Sequence, residues 1–208
     1  MSAPLGGDRL ALDITADAQA ELEVTTATAT IALRGPTTAP ATYDVRITLG
    51  ENASLNWLPQ PLISTRGSTV HQTYDVELAP TSRLLLREEQ LLGRTAEPPG
   101  HLSTRLTVRR EGQLLLDQHT AYGERAPAWD GPAVLGSHRA TGQLLFVDPG
   151  LATGSQPLLI GADPAQGCAV LAPLAHGPAL LATAVAPTPS RLRHLLDTAL
   201  AHLTALQE

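Results

Sequence analysis

The chain has 208 residues, 43% hydrophobic and 16% charged, which is enough apolar material for a folded core and too much for a disordered polymer. Fourteen basic against twenty acidic residues leave a net charge of −6, so the basic face that nucleic acid or an anionic membrane calls for is missing. All the basic residues are Arg and Cys168 is the lone cysteine, which excludes lysine chemistry, internal disulfides, Cys-pair zinc sites and Cys-ligated clusters.

Met1 to Asp13 lacks the charged-then-apolar order of a signal peptide. Period-two alternation then dominates the first two-thirds of the chain. Leu10, Leu12 and Ile14 share one face, and Leu22 with Val24 repeats the pattern. Tyr43, Val45, Ile47 and Leu49 alternate with Thr42, Asp44, Arg46 and Thr48, the clearest case in the chain. Tyr74, Val76 and Leu78 follow, and then Leu102, Leu106 and Val108. Turn residues such as Gly50–Glu51–Asn52, Arg66–Gly67–Ser68 and Glu111–Gly112 separate these runs. One wet face and one buried face on many short strands predict a mainly β fold, antiparallel or solenoidal.

Residues 126–188 are rich in Pro and Gly, with strand candidates at 142–147 and 156–160 whose order the sequence does not give. The most apolar stretch, Cys168 to Ala186, is broken by Pro173, His176, Gly177 and Pro178, short of the ~20 residues of a spanning helix. A soluble cytoplasmic chain is expected. From residue 189 to 207 the pattern changes: Leu192, Leu195, Leu196, Ala199, Leu200, Leu203 and Leu206 trace one helical stripe. Thr188 or Ser190 caps this helix, Pro189 suits its first turn, and the stripe packs on the sheets. A single domain, 1–208, is expected.

Chemistry is sparse. No two of the seven histidines stand at i, i+2 or i, i+4, so a His-pair metal site is missing. There is no Gly-x-Ser-x-Gly elbow, and Cys168 sits in an apolar run that reads as a buried, inert thiol. Glu88 and Glu89 are neighbours on a strand and point to opposite faces, so they form no acid–base dyad, and one of them is expected to be solvated. Gly6-Gly7-Asp8 precedes a strand, not a helix, so it is a turn with an Asx cap and no phosphate cradle. The residues alone favour a binding or scaffold role over an enzyme.

Four segments, in order and spacing, resemble the urease accessory protein family UreD (UreH in some bacteria). They are Pro4-Leu5-Gly6-Gly7-Asp8-Arg9-Leu10; Leu22 to Thr30; Ala53-Ser54-Leu55-Asn56-Trp57-Leu58-Pro59-Gln60-Pro61-Leu62-Ile63; and Ser82 to Glu88 followed by Leu92-Gly93-Arg94 and Gly112 to Asp117. The Trp-Leu-Pro-Gln-Pro string is the most specific. Residues 4–125 carry the match well and the remainder loosely. Family members usually have further strands ahead of the Gly-Gly-Asp turn, so the chain is similar to a short, divergent member.

The resemblance implies a stacked-strand, β-helix-like scaffold with a C-terminal α-helix packed on the sheets. It implies a non-enzymatic urease maturation factor, a component of a metallochaperone complex, that binds UreF directly, UreG through UreF, and the urease apoprotein. No cofactor is tightly bound; nickel is in transit. Asp8, Glu88 and Asp117 fall where the family carries acids of that route, and spaced carboxylates suit an ion that must not be trapped. Gly6, Gly7, Trp57, Pro59, Gln60, Gly93 and Arg94 are motif positions and candidate partner contacts, although Trp57 to Pro61 also reads as a structural corner. Apart from the resemblance, Asp8 caps a turn, while Glu88 and Asp117 pair with Arg94 and Arg87. The rival is a stand-alone β-fold hydrolase or carbohydrate-binding module; the hydrolase would need Glu88 or Asp117 opposite a histidine such as His119 in one open cleft.

Overall fold

The computed structural model describes residues 3–151 and 156–205. Its first half is a stack of coils. Strands β1 (Arg9–Ala16), β2 (Glu21–Thr25) and β3 (Thr30–Ala32) make the first coil, and β4 (Ala41–Leu49), β5 (Ser54–Leu58) and β6 (Leu62–Ser64) the second. A third holds β7 (Thr69–Leu78) and β8 (Arg83–Leu92), and the winding ends in the hairpin β9 (His101–Arg110) and β10 (Gln113–Tyr122). Arg9 lies beside Thr42, Thr42 beside His71 and His71 beside Ser103, offsets of 33, 29 and 32 residues. The corners absorb these differences, which is why the stack has no fixed period in sequence.

Two sheets result. One has five strands in the order β1-β4-β7-β9-β10, parallel until the final hairpin. The second begins parallel with β2-β5-β8. It then continues antiparallel through β11 (Ala140–Val147), β12 (Leu158–Ile160), β13 (Cys168–Pro173) and β14 (Ala179–Ala186), in the spatial order β8-β11-β14-β13-β12. The alternating pattern therefore covers both alternatives, solenoidal at the start and antiparallel at the end.

The main core lies between the sheets, where Val45, Ile47, Leu55, Trp57, Leu84, Leu86, Leu106 and Leu145 meet. A second lies between the nine-stranded sheet and helix α1 (Pro189–Ala205). Leu192, Leu195, Leu196, Ala199 and Leu203 are all buried there, as the stripe predicts; Leu206 lies outside the described residues. Each such leucine contributes ~2 kcal/mol by leaving water. The Thr188 hydroxyl accepts from the Arg191 N–H at 3.3 Å and Pro189 opens the first turn, so Thr188 is the cap.

Two expectations need correction. Leu22 faces inward but is 38% exposed, because β2 is the edge strand of its sheet among the described residues. Cys168 is half-buried instead of sealed in the core: it lines a cavity together with Gln118 and Thr120 of β10. Among the described residues no helix is long and apolar enough to cross a membrane.

Candidate functional site

Strand β8 runs through the middle of the nine-stranded sheet, and alternation sends Glu88 to one side and Glu89 to the other. Both sides of the sheet are covered at this point, so both acids are buried, at 3% and 5% exposure. The expectation that one would be solvated is overturned by the helix, which covers the outer face. There Arg87 donates to Glu89 at 2.8 Å and to Asp197 of α1 at 2.6 Å.

Glu88 lies in the interior between the sheets. Gln143, its register partner on β11, donates from Nε2 to Glu88 Oε2. The Tyr74 hydroxyl comes close from the facing sheet, but Oε1 makes no well-formed hydrogen bond. Burial pushes the Glu88 carboxyl up to about 7, with Gln143 and Tyr74 pulling it only part of the way back. Burial also raises Tyr74 well above its ordinary value, and the Glu88 charge adds to it. Trp57 meets Tyr74 edge to face, with centroids 6.2 Å apart, and its buried Nε1 likewise lacks a well-formed bond.

Glu88 and Gln90 line two cavities at once. One, of about 340 Å³, runs past Gln118, Thr120, Gln143 and Thr141 toward Cys168 and the exposed Val134 and Val170. The other holds only about 20 Å³ and reaches from Trp57, Gln72 and Tyr74 to Pro59, Gln60 and Thr26. That is room for one water, which needs roughly 10–15 Å³, facing groups with unused bonding capacity. Gln72 donates to the Tyr74 hydroxyl and Gln90 to Thr104, both at 2.9 Å, so a polar seam crosses an otherwise apolar interior.

The other two acids lie elsewhere. Asp8 accepts the Leu5 N–H at 2.8 Å and holds the Gly-Gly-Asp turn, the cap that the residues predict. Asp117 sits on the outer face of β10 in a two-pronged pair with Arg105, at 2.9 and 2.8 Å, and neither acid lines the cavities of Glu88. The pairings expected from sequence are therefore corrected: Asp117 takes Arg105 instead of Arg87, because β9 brings Arg105 diagonally across the ladder, opposite His119, and Arg94 turns to Glu97 at 2.8 Å. Among the described residues no histidine lines either Glu88 cavity. His119 bonds to Ser103 on a flat outer face, so the cleft that a hydrolase would need is not assembled there. Among the described residues no group of three or more His, Cys, Asp or Glu is placed to hold a metal ion.

The motif positions have structural reasons. A Cβ on Gly35 would stand 2.3 Å from the Gly6 carbonyl, so the corners of adjoining coils stack backbone on backbone. Gly7 and Gly93 have φ of +93° and +87°. Trp57 is 1% exposed and faces inward, so it offers no surface to a partner, whereas Gln60 is exposed and Arg94 reaches solvent. Sequence reading missed Tyr74, Gln72, Gln90 and Gln143. Each sits on the inward face of its strand, and a polar residue in an inward register was the available signal.

Parallel coils stacked around a buried acid in a polar seam define a β-solenoid protein with a polar interior. The family model for the UreD urease accessory protein matches residues 2–208. Urease accessory protein UreD 2 of Saccharopolyspora erythraea is 65% identical over 200 residues, covering 96% of this chain and 70% of the relative. UreD 3 of Streptomyces griseus is 53% identical over 207 residues and UreD of Streptomyces coelicolor 52% over 204; each covers 98% of this chain and 78% of the relative. The chain belongs to the UreD family of urease accessory proteins.

Proposed function

We propose that the chain acts without catalysing a reaction, as a maturation scaffold that binds UreF and the urease apoprotein, recruits UreG through UreF, and passes nickel through its interior toward the urease active site. The observation that carries this reading is Glu88: a buried carboxyl, one oxygen free of a well-formed bond, at the junction of two cavities. Oxygen donors and amides spaced along the seam suit Ni²⁺ binding that is weak enough to release. Gln90, Gln118 and Gln143 on one side of Glu88 and Gln72 on the other place amide groups along the seam where a partly hydrated ion would pass.

The test is urease activation with the chain, UreF, UreG and the apoprotein together. Glu88→Ala is expected to lower activation while the complex still co-purifies; undiminished activation removes the interior route. Asp8→Ala and Asp117→Ala ask how far the route extends. Loss of activation with retained assembly carries it to the surface at those residues, and unchanged activation confines it to Glu88. Failure of the folded chain to co-purify with folded UreF sinks the scaffold reading itself.

A further inference from the structure

Each coil leaves the nine-stranded sheet at the same corner, and an arginine stands there every time. Ala32 pairs with Ser64 and Ser64 with Leu92, and two residues further on are Arg34, Arg66 and Arg94, all exposed. Adjoining strands lie about 4.8 Å apart, so the three form a row along the stack. The Arg34 side chain runs over the next corner, where its Cδ would lie 3.3 Å from a Cβ placed on Gly67. Arg139 extends the row: its carbonyl accepts the Leu92 N–H, and its guanidinium stands 5.0 Å over the centre of the Trp129 ring.

One carboxylate serves these four guanidinium groups. Glu97 accepts from Arg94 Nε at 2.8 Å and from the Arg66 N–H. Arg34, Arg66 and Arg139 make no ion pair among the described residues, and Asp8, Glu124 and Asp130 make none either. The first turn of α1, which opens beside Arg139, carries no acid. An aliphatic row runs next to the arginines. Alternation puts Ile31, Ile63 and Leu91 in register on the outer face of β3, β6 and β8. The helix buries Ala140 and Ala186 further along that row but leaves Ile31, Ile63 and Leu91 half-exposed. A groove of about 840 Å³ runs from Ile63 and Leu91 to Pro187 and Pro189, with Arg94 and Arg139 in its lining.

We infer that the arginine row and the aliphatic row together form a docking surface for an acidic, amphipathic helical segment of a partner protein. Acids at i, i+3 and i, i+4 of a helix stand about 5–6 Å apart, close to the spacing of the coils. A helix with one acidic and one apolar edge therefore meets both rows at once. Nucleic acid fits less well, because the second row offers aliphatic side chains where stacking rings are needed, and the chain's net charge of −6 repels a polyanion. The inference deepens the scaffold reading, on which it rests, by stating what one partner must present.

The probe is a fluorescein-labelled helical peptide with Glu along one edge and Leu along the next, titrated with the full chain alone and read by anisotropy. It should bind, and its counterpart with Gln for every Glu should bind about tenfold more weakly. Arg34→Gln/Arg66→Gln/Arg139→Gln should lose about tenfold in affinity. The same charge removed from the outer face of the five-stranded sheet, in Arg9→Gln/Arg46→Gln/Arg109→Gln, should change it by less than about twofold. Glu97→Gln keeps an acceptor for the Arg66 N–H and frees Arg94, so binding should tighten about threefold, a gain that misfolding does not produce. A parent chain that ignores the peptide, or an equal loss in both triple variants, overturns the surface. Displacement of the peptide by oligothymidylate at equal concentration overturns it in favour of nucleic acid. Self-association of the parent that the first triple variant abolishes, seen by sedimentation, gives the rows to a second copy and overturns it as well. Peptide binding is read without UreF, so failure of this surface and failure of the scaffold reading, which co-purification with UreF decides, are separate results.

Discussion

Gln143 donates its side-chain amide to Glu88 across the β8–β11 register, the only side-chain hydrogen bond with good geometry that the carboxyl receives among the described residues. One bond does not offset complete burial, and the Glu88 carboxyl therefore titrates near 7. In the unfolded chain it would lose its proton near the ordinary value of 4.5. Between those limits the folded state holds the extra proton, so stability is fullest below the lower value and falls as pH rises through the upper one. The total loss is on the order of 3 kcal/mol. Glu88→Gln keeps the shape and removes the charge. Its melting temperature should gain on that of the parent progressively from pH 5 to pH 8; parallel curves across that range sink the prediction.

On the opposite face of β8 the balance is ionic. Glu89 is 5% exposed and Arg87 joins it to Asp197 on α1, so the pair fastens the helix to the sheet. Arg87→Met leaves a carboxylate buried with Arg193 as its remaining cation, a more distant one, and should cost about 3–5 kcal/mol. The double variant Arg87→Met/Glu89→Met removes both charges and should recover most of that loss. Urea unfolding of the two variants checks it, and equal destabilisation in both would falsify the account.

The local pattern made much of this architecture legible before any coordinates. Tyr43 to Leu49 and Tyr74 to Leu78 alternate because one face meets the opposing sheet, and Leu192 to Leu203 repeat at helical spacing because they meet β11, β13 and β14. The coil offsets of 33, 29 and 32 residues left no period to detect, since a solenoid fixes the stacking of its strands and not the length of its corners. The order of β11 to β14 depends on long-range pairing and has no local signal. Glu88 was singled out by resemblance, but its partners were not. Arg94 looked suitable by nearness in sequence, whereas β11, more than fifty residues away, supplies Gln143.

Gly142 allows the helix and the acid strand to come together. It pairs with Glu89 on β8 and faces α1, and a Cβ there would lie 2.7 Å from the Glu88 carbonyl and 3.0 Å from Leu196 Cδ1. The leucine end has some freedom to shift, but the carbonyl is fixed in the sheet, so a methyl group must displace backbone. Gly142→Ala should therefore cost about 1–3 kcal/mol, the usual penalty of overpacking. Leu196→Ala in the same background relieves only the softer of the two contacts, and its own cavity adds about 2–5 kcal/mol. Hydrogen exchange should show α1 opening sooner than β7 and β9 in Gly142→Ala, because the strain lies on the helix side of the sheet. Uniformly faster exchange across all strands would place the strain in the inter-sheet core instead.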